Sequence, residues 1–354
     1  MKVAVDCRYV RIGRHDGISR YTAGLVTELA RLHPVTMLIS DHRQLDMLPR
    51  LPWYRVSDPT GPREPLVARQ VNRLGPDVVF SPMQTMGTAG RRYALVLTVH
   101  DLIYYRHGTP PRDLPGPVRA LWRLYHLAWW PQRLLLDRAD AVVTVSETTA
   151  ALIAAHRLTR RPVTVVPNAA DPLPPAAGTA GRRLVYMGSF MPYKNVDALV
   201  LAAARLPDHE LHLMSRVDAA ERARLTELAP GARLVFHDGA SDARYAAVLR
   251  GATALVSASR DEGFGIPLVE AMSVGTPVVV SDIPVFREVG GPAAAYVDPD
   301  DVDGFVAAIR ALDDPAVRDE RRAAARDRAA RYSWAGSARV LLDLLERTAA
   351  AHRA

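Results

Sequence analysis

The chain of 354 residues contains a single cysteine, only two lysines and no long apolar run. Because Cys7 is alone, an internal disulfide framework is excluded, which fits a reducing compartment. No segment approaches the ~20 apolar residues that a transmembrane helix needs. The N-terminus, Met1–Asp6, is typical of a strand and not of a signal peptide. We therefore expect a cytoplasmic protein.

Several functional signatures are missing as well. The chain lacks the spacing of zinc ligands and the interleaved aromatic and basic residues of RNA-binding motifs, so we expect no nucleic-acid partner. Gly13 and Gly17 are too far apart for the G-x-G-x-x-G fingerprint, which disfavours a dinucleotide-dependent oxidoreductase. The net charge of +7 favours anionic partners such as nucleotides or anionic lipid.

Short apolar runs alternate with helical patterns along the whole chain. In the first half, strands are predicted at Lys2–Cys7, Val35–Ser40, Asp77–Phe80, Ala94–Val99, Ala141–Ser146 and Val163–Val166. In the second half, strands are predicted at Arg183–Met187, Glu210–Met214, Arg233–Phe236, Ala252–Ser257, Pro277–Ser281 and Ala294–Val297. Amphipathic helices are predicted between them, for example at Ile18–Leu32, Val196–Leu206 and Asp242–Arg250. Strands this apolar are buried on both faces, which favours parallel sheets covered by helices.

A proline- and alanine-rich segment, Pro167–Gly178, separates the two halves. We therefore predict an α/β chain of two doubly wound, Rossmann-like domains, residues 1–170 and 171–332. They would face each other across a cleft at the carboxyl ends of their strands. Residues 333–354 contain a final helix, about Ala335–His352, that is a candidate for packing back on the first domain.

The stretch Asp261–Met272 combines a glycine-rich turn with the start of an apolar helix. Pro267 suits the first helical position, where its missing N–H has no helical partner. The amides of Phe264, Gly265 and Ile266 would then point out of the helix N-terminus, an arrangement that binds phosphate.

Two glutamates flank this turn with seven residues between them. Glu270 lies one turn into the helix and can accept two hydroxyl hydrogens, as a ribose presents. Glu262 precedes the turn and can accept hydroxyls of a second ring. The alternative is that Glu270 only stabilises the helix N-terminus electrostatically. The combination favours a sugar nucleotide as ligand and sugar transfer as reaction.

Lys194 and His100 each follow a predicted strand. Lys194 comes after a strand that ends at Gly188, and ligands bind at the carboxyl ends of strands in such sheets. In a chain with two lysines, a merely solvated cation would more readily have been arginine. His100 directly follows Ala94–Val99, although a lone histidine is often structural. Asp101 can orient the neighbouring backbone as well as take part in chemistry.

These segments resemble the retaining glycosyltransferases of family 4, which have the GT-B fold. Glu262 and Glu270 match the E-x7-E signature of that family. The other resembling segments are Asp16–Tyr21, His100-Asp101, Val145–Glu147, Val165–Asn168 and the phosphate loop Gly188–Asn195.

The resemblance implies a donor site in the second domain. Glu270 would hold the nucleotide ribose, and Glu262 would hold hydroxyls of the donor sugar with help from the amides at Phe264–Ile266. Lys194 would pair with the diphosphate within the loop that begins at Gly188. Glu262 and Lys194 are therefore candidate catalytic residues.

The N-terminal motifs imply an acceptor-binding first domain. Gly17 would bring its backbone near the diphosphate from the opposite domain. His100 would lie beside the reacting centre and is the third candidate catalytic residue. Arg20 and Asp101 are the implied acceptor-binding residues.

The phosphate loop departs from the family at Ser189 and Tyr193, where many members carry an arginine. Ser189 stays a donor-binding candidate as part of that loop. We hypothesise that Arg216, which follows the next strand, supplies the missing charge.

We expect no metal or other cofactor, because Lys194 and the helix amides would replace a metal ion. Asp298-Pro299-Asp300 does spell D-x-D, the metal motif of another glycosyltransferase fold. Pro299 and the acids after it are instead typical of a turn into a helix at Gly304–Leu312.

The acceptor stays open among a glycan, a lipid-linked sugar and a small molecule. Pro117–Asp137 carries aromatic residues and arginines on what we interpret as one amphipathic helix. That helix either contacts the inner face of the membrane peripherally or packs on the sheet with its arginines outside.

By resemblance, the reaction is a retaining hexosyl transfer. The likeness of Glu262–Met272 to mannosyltransferases favours mannosyl transfer from GDP-mannose. Two alternatives stay open: a sugar-nucleotide epimerase of the same fold, and a non-catalytic partner subunit with that fold.

Overall fold

The computed structural model describes residues 1–109, 116–175 and 181–353. The chain divides into two compact units. Unit 1 comprises Met1–Ala169 and Ser333–Ala354, and unit 2 comprises Ala170–Tyr332. Each unit has its own apolar core between a parallel sheet and the helices that cover it.

The described residues of unit 1 form a seven-stranded parallel sheet. Its strands are β1 (Val3–Asp6), β2 (Val35–Ile39), β3 (Trp53–Arg55), β4 (Val78–Ser81), β5 (Ala94–Val99), β6 (Ala141–Thr144) and β7 (Val163–Val165). They lie in the order β3-β2-β1-β4-β5-β6-β7. The helices are α1 (Gly17–Leu32), α2 (Val67–Val71), α3 (Ile103–Arg106), α4 (Gly116–His126), α5 (Trp130–Leu136) and α6 (Glu147–Ala155).

The described residues of unit 2 form a six-stranded parallel sheet. Its strands are β8 (Arg183–Tyr186), β9 (Glu210–Leu213), β10 (Leu234–Phe236), β11 (Ala254–Ser257), β12 (Val278–Ser281) and β13 (Ala294–Val297). They lie in the order β10-β9-β8-β11-β12-β13. The helices are α7 (Val196–Ala204), α8 (Ala219–Leu228), α9 (Asp242–Arg250), α10 (Ile266–Ser273), α11 (Pro284–Gly290), α12 (Val302–Ala311) and α13 (Pro315–Ala329).

The prediction of two doubly wound parallel sheets is confirmed. The predicted strands agree with the observed ones to within two residues at either end. The sequence pattern missed β3, because this edge strand has three residues and is mostly exposed. It therefore carries no buried apolar run.

Each sheet has a point where the strand order reverses. In unit 1 the chain builds outward from β1 through β2 to β3 and then crosses to β4 on the other side of β1. In unit 2 the same reversal separates β8 from β11. Ligands of doubly wound sheets bind outside the carboxyl ends of the two strands at such a point. The loops that follow β8 and β11 are therefore where a ligand of unit 2 is expected.

The last helix, α14 (Trp334–Arg353), packs on α1 within unit 1. The Trp334 ring lies against Gly24, where a Cβ atom would come within 2.5 Å of the ring. Trp334 also meets the Tyr21 ring edge-on at 6.1 Å between centroids. The Ser337 hydroxyl donates to the Pro167 carbonyl at 2.7 Å. The missing side chain at Gly24 thus allows α14 to approach α1.

We predict that Gly24→Ala destabilises unit 1 by about 1–3 kcal/mol, the usual cost of overpacking a filled interior. Gly116→Ala is the control, because a Cβ at Gly116 has none of the described residues within 4 Å. Urea denaturation of both variants tests this. A Gly24→Ala variant as stable as the Gly116→Ala variant would show that the Trp334 contact does not constrain the helix.

Candidate functional site

An ion pair lies at the reversal point of the unit 2 sheet. Lys194 ends a short turn, Pro192–Lys194, that leads from β8 to α7, and Glu262 lies in the loop between β11 and α10. The Lys194 Nζ donates to the Glu262 Oε1. Their side chains are only 13% and 16% exposed. The sequence prediction gave these residues separate ligands, and the structure brings them into contact with each other.

A buried serine holds the same carboxylate from the side of the sheet. Ser259 is fully buried, and its Oγ donates to the Glu262 Oε1 at 2.9 Å. The Oγ of Ser257, at the end of β11, donates in turn to the Ser259 Oγ at 3.2 Å. Sequence analysis missed Ser259. The available signal was its place between an apolar strand and Glu262.

The start of α10 directly follows the loop that carries Glu262. Gly265 precedes the helix with a φ of 94°, a left-handed conformation that favours glycine. A Cβ there would come within 2.9 Å of the Phe286 ring. The helix begins at Ile266, so Pro267 is its second residue. The prediction that Pro267 is the first is wrong, because the left-handed Gly265 lets the helix start one residue earlier.

The other predicted residues of this segment lie around the same helix start. Phe264 is buried, and its ring meets Tyr332 edge-on at 5.3 Å. The amides of Gly265 and Ile266 lie at the start of the helix, so no carbonyl of the same helix can accept their hydrogen bonds. Glu270 is buried at the fifth helical position. The structure therefore brings Glu262, Glu270 and the helix start together in one β11–α10 segment.

The phosphate loop packs tightly beside the ion pair. A Cβ at Gly188 would lie 2.7 Å from the Tyr186 hydroxyl, so only glycine fits there without a shift. The Gly188 amide donates to the Ser215 Oγ at 3.2 Å, and the Tyr186 hydroxyl donates to the Ser189 carbonyl at 2.5 Å. Ser189 itself is exposed.

Arg216 is exposed and follows β9, the strand that pairs with β8. Its aliphatic stem lies over Gly239, where a Cβ would come within 2.8 Å of the Arg216 Cγ. Arg216 therefore lies at the same sheet edge as the phosphate loop. Its role toward a diphosphate stays a prediction.

The D-x-D sequence forms a turn. The Asp300 amide donates to the Asp298 carboxylate at 2.9 Å, and Asp301 caps α12 by accepting from the Gly304 amide at 2.8 Å. The Asn195 amide group donates to the Pro299 carbonyl at 2.6 Å, which ties this turn to α7. No group of three histidine, cysteine or acidic side chains in the described part of the chain could hold a metal ion.

In unit 1, His100 follows β5 and contacts the end of the preceding strand. Its Nε2 lies 2.7 Å from the Pro82 carbonyl, so this nitrogen carries the proton and donates. Burial lowers the pKa of the ring, against smaller opposing effects of that hydrogen bond and of Asp16. The Tyr21 ring lies edge-on at 5.0 Å. His100 is therefore a neutral ring at pH 7.

The remaining candidates of unit 1 lie near the start of α1 and the end of β5. Gly17 is the first residue of α1, and Asp16 caps this helix by accepting from the Ser19 amide at 2.9 Å. Arg20 lies in the first turn and is partly buried. The Asp101 carboxylate accepts from the Ile103 amide at 3.0 Å, which orients the backbone before α3.

The aromatic and basic segment forms two helices, α4 and α5, so the prediction of one helix over Pro117–Asp137 is wrong. The physical reason is Pro131 at the second position of α5, whose ring would clash with the carbonyl of Leu127 in a continuous helix. Trp129, between the helices, is stacked against Tyr105 at 3.9 Å and His156 at 4.2 Å.

Four apolar side chains of α4, α5 and the turn between them are exposed to solvent. We call them the Leu124–Leu134 surface, and its members are Leu124, Leu127, Trp130 and Leu134, which are 55% to 78% exposed. Two exposed arginines, Arg123 and Arg133, are their neighbours in sequence. None of the described helices is both long and apolar enough to cross a membrane.

Two family models cover most of the chain. The model described as Glycosyltransferase Family 4 matches residues 15–172, and the model described as Glycosyl transferases group 1 matches residues 176–330. They correspond to the first and second halves of the chain.

Two individual proteins to which the chain is similar are also named as glycosyl-transferring enzymes. The chain is 36% identical over 186 residues to a phosphatidyl-myo-inositol mannosyltransferase of Mycolicibacterium smegmatis, which is 48% of this chain and 48% of that protein. It is 30% identical over 266 residues to an MMP alpha-(1->4)-mannosyltransferase of Mycolicibacterium hassiacum, 69% of this chain and 64% of that protein. The matches thus span about half and just under two thirds of these relatives.

The solved structure of a sucrose-phosphate synthase from Thermosynechococcus elongatus has the same fold. The TM-score is 0.74 at 20% identity, and the match covers 99% of both chains. This match shows the fold alone, the GT-B arrangement of two Rossmann-like domains. The two family models, which match residues 15–172 and 176–330, show that the chain belongs to the family 4 glycosyltransferases.

Proposed function

We propose that the protein transfers a hexosyl group from a nucleotide-diphosphate sugar to an acceptor hydroxyl, with retention at the anomeric carbon and without a metal ion. The observation that carries this proposal is the Lys194–Glu262 ion pair at the reversal point of the unit 2 sheet. A cation, a carboxylate and the amides at a helix start are the groups that a sugar diphosphate needs. The similarity to two mannosyltransferases supports a mannosyl group. GDP-mannose is the donor that we propose for it.

In this proposal, binding of the nucleotide sugar separates Lys194 from Glu262, and each of the two residues then contacts the ligand. Lys194 moves from Glu262 to the diphosphate, and Glu262 accepts hydroxyls of the hexose. Glu270, buried in α10, holds the ribose hydroxyls. Arg216, at the same sheet edge, contributes the second cation for the diphosphate.

The chemical step exchanges one bond to the anomeric carbon for another. The bond from this carbon to the diphosphate oxygen breaks, and the acceptor oxygen attacks from the face that the diphosphate leaves. A phosphate oxygen takes the acceptor proton. Lys194 and the amides at the start of α10 stabilise the charge that develops on the diphosphate.

Unit 1 is proposed to bind and choose the acceptor. His100 is its candidate catalytic residue, with an unprotonated Nδ1 because its Nε2 proton is held by the Pro82 carbonyl. Gly17, Arg20 and Asp101 are its other candidate ligand-binding residues.

The acceptor is proposed to be a lipid-linked sugar at the inner face of the membrane, with a free glycan or small molecule as the other outcomes of a test. The Leu124–Leu134 surface supports this choice, because exposed leucine and tryptophan beside arginine fit an anionic lipid surface.

Lys194→Ala is expected to lower turnover by about two orders of magnitude or more, since one well-placed donor to a developing charge contributes about 2.7–4 kcal/mol. Lys2→Ala is the control, because it removes the chain's other lysine from an exposed position in unit 1. Hexosyl transfer from GDP-mannose, with donor hydrolysis followed in parallel, is the measurement. Equal activity of the two variants would contradict the proposed role.

His100 gives a pH prediction. Its folded-state pKa lies below the ordinary 6.5, so its contribution to stability is present above pH 6.5 and is lost as pH falls through the folded-state pKa. His100→Gln keeps an N–H donor but cannot titrate. We expect this variant to lose less unfolding free energy than the wild type between pH 7.5 and about pH 5. Identical losses in urea denaturation would mean that His100 is not held neutral by burial.

Flotation with vesicles tests the membrane contact. The Leu127→Ser, Trp130→Ser double variant should bind phosphatidylglycerol vesicles at least about tenfold more weakly than the wild type, because each buried apolar side chain contributes about 1.5–3 kcal/mol. The matched control is Trp53→Ser with Leu66→Ser, two residues of unit 1 that are 44% and 45% exposed. Equal weakening by both double variants would contradict a role of the Leu124–Leu134 surface in membrane binding. So would a wild type that binds vesicles of pure phosphatidylcholine but not vesicles of phosphatidylglycerol.

A further inference from the structure

One oxygen atom of Glu262 accepts hydrogen bonds from two very different donors. Lys194 approaches it with a flexible side chain that carries three rotatable N–H groups. Ser259 approaches it from the interior with a short, fully buried side chain. The first donor can leave by rotation of its own side chain, whereas the second is fixed by its position just beyond β11.

The direction of the hydrogen bonds fixes where the Ser259 proton points. A serine hydroxyl has one hydrogen to donate and can accept from a neighbour. The Ser257 hydroxyl donates to the Ser259 oxygen at 3.2 Å, and the Ser259 hydrogen is directed to Glu262 at 2.9 Å. The chain Ser257–Ser259–Glu262 therefore has one orientation, which ends on the carboxylate.

Departure of Lys194 would leave a mostly buried carboxylate with one partner fewer. Unpaired buried charge is costly, and a carboxylate in that state moves toward water or takes up a proton. The hydrogen bond from Ser259 does not depend on Lys194. It can hold the Oε1 in place and leave the other lone pairs of the carboxylate for hydroxyl groups.

We propose that Ser259 is a positioning residue, which keeps Glu262 in place and ionised for the donor sugar when Lys194 turns to the diphosphate. This inference rests on the proposed function. Ser259 acts through the Glu262 carboxylate, so it contributes to recognition of the sugar more than to recognition of the nucleotide. A nucleoside diphosphate depends on Ser259 only through the departure of Lys194 from Glu262, whereas a nucleotide sugar also bonds the Glu262 carboxylate itself, so its affinity depends on Ser259 more strongly.

Calorimetry on Ser259→Ala separates these two contributions. The ligand pairs are GDP with GDP-mannose, and UDP with UDP-glucose. For the pair that the wild type binds, the variant should lose more affinity for the nucleotide sugar than for the nucleoside diphosphate. The affinity for the nucleotide sugar should fall about 10- to 100-fold, the range for one hydrogen bond to a charged group, and the affinity for the nucleoside diphosphate should fall by a clearly smaller factor.

Ser281→Ala is the matched control, because Ser281 is equally buried at the end of the neighbouring strand and its Oγ bonds only the Ser257 backbone carbonyl, at 3.3 Å. It should bind both ligands as the wild type does. Urea denaturation of the two variants shows whether a loss of binding comes from a loss of folding. If Ser259→Ala weakens the diphosphate and the nucleotide sugar equally, the serine has only a structural role and the inference is wrong.

A double-mutant cycle with Glu262→Gln gives the second readout. Because Ser259 acts through Glu262, adding Ser259→Ala to Glu262→Gln should weaken nucleotide-sugar binding by less than about twofold further. Full additivity overturns the inference while leaving the proposed function intact. If the wild type binds neither ligand pair, the proposed function fails and the inference fails with it.

Discussion

The candidate donor site depends on the ion pair between Lys194 and Glu262. The sheet of unit 2 creates this contact, because its strand order reverses between β8 and β11 and thus brings two distant loops to one edge. Both side chains are mostly removed from water, so each charge is stable only while it has a partner. In our proposal, the pair opens when a ligand offers an anion to the lysine, and hydrogen-bond donors to the glutamate then stabilise the open state further. A sugar diphosphate offers both.

The choice of lysine in an arginine-rich chain follows from the same requirement. The guanidinium of an arginine forms two parallel hydrogen bonds with a carboxylate, which fixes both groups. The ammonium of a lysine is a compact charge on a flexible stem, and it can turn from one anion to another. Ser259 complements this mobility with a fixed donor on the same carboxylate oxygen. One partner of Glu262 can thus leave while the other stays.

Much of the fold could be predicted from the sequence, because buried parallel strands are continuous apolar runs. Lys194, Glu262 and Glu270 could also be found, since each stands at a strand end or helix start with an unusual local composition. The contact between Lys194 and Glu262 could not be predicted, because 68 positions separate the two residues. A local sequence pattern describes only the neighbours of each residue in the chain. Ser259 was missed for a similar reason: its place between an apolar strand and Glu262 was an available signal, but that place does not by itself report the carboxylate that the serine contacts. The break between α4 and α5 was marked by Pro131, and the aromatic pattern around it obscured that signal.

We propose that a nucleotide-diphosphate sugar displaces the contact between Lys194 and Glu262. A thermal denaturation screen of nucleosides, nucleotides, free hexoses and nucleotide sugars is the decisive experiment. A ligand at one hundred times its dissociation constant should stabilise the protein by about 2.7 kcal/mol. We expect a nucleotide-diphosphate sugar to give this stabilisation to the wild type and little or none to Lys194→Ala at the same concentration. Failure of every nucleotide sugar to stabilise the wild type, or equal stabilisation of Lys194→Ala, would contradict this proposal.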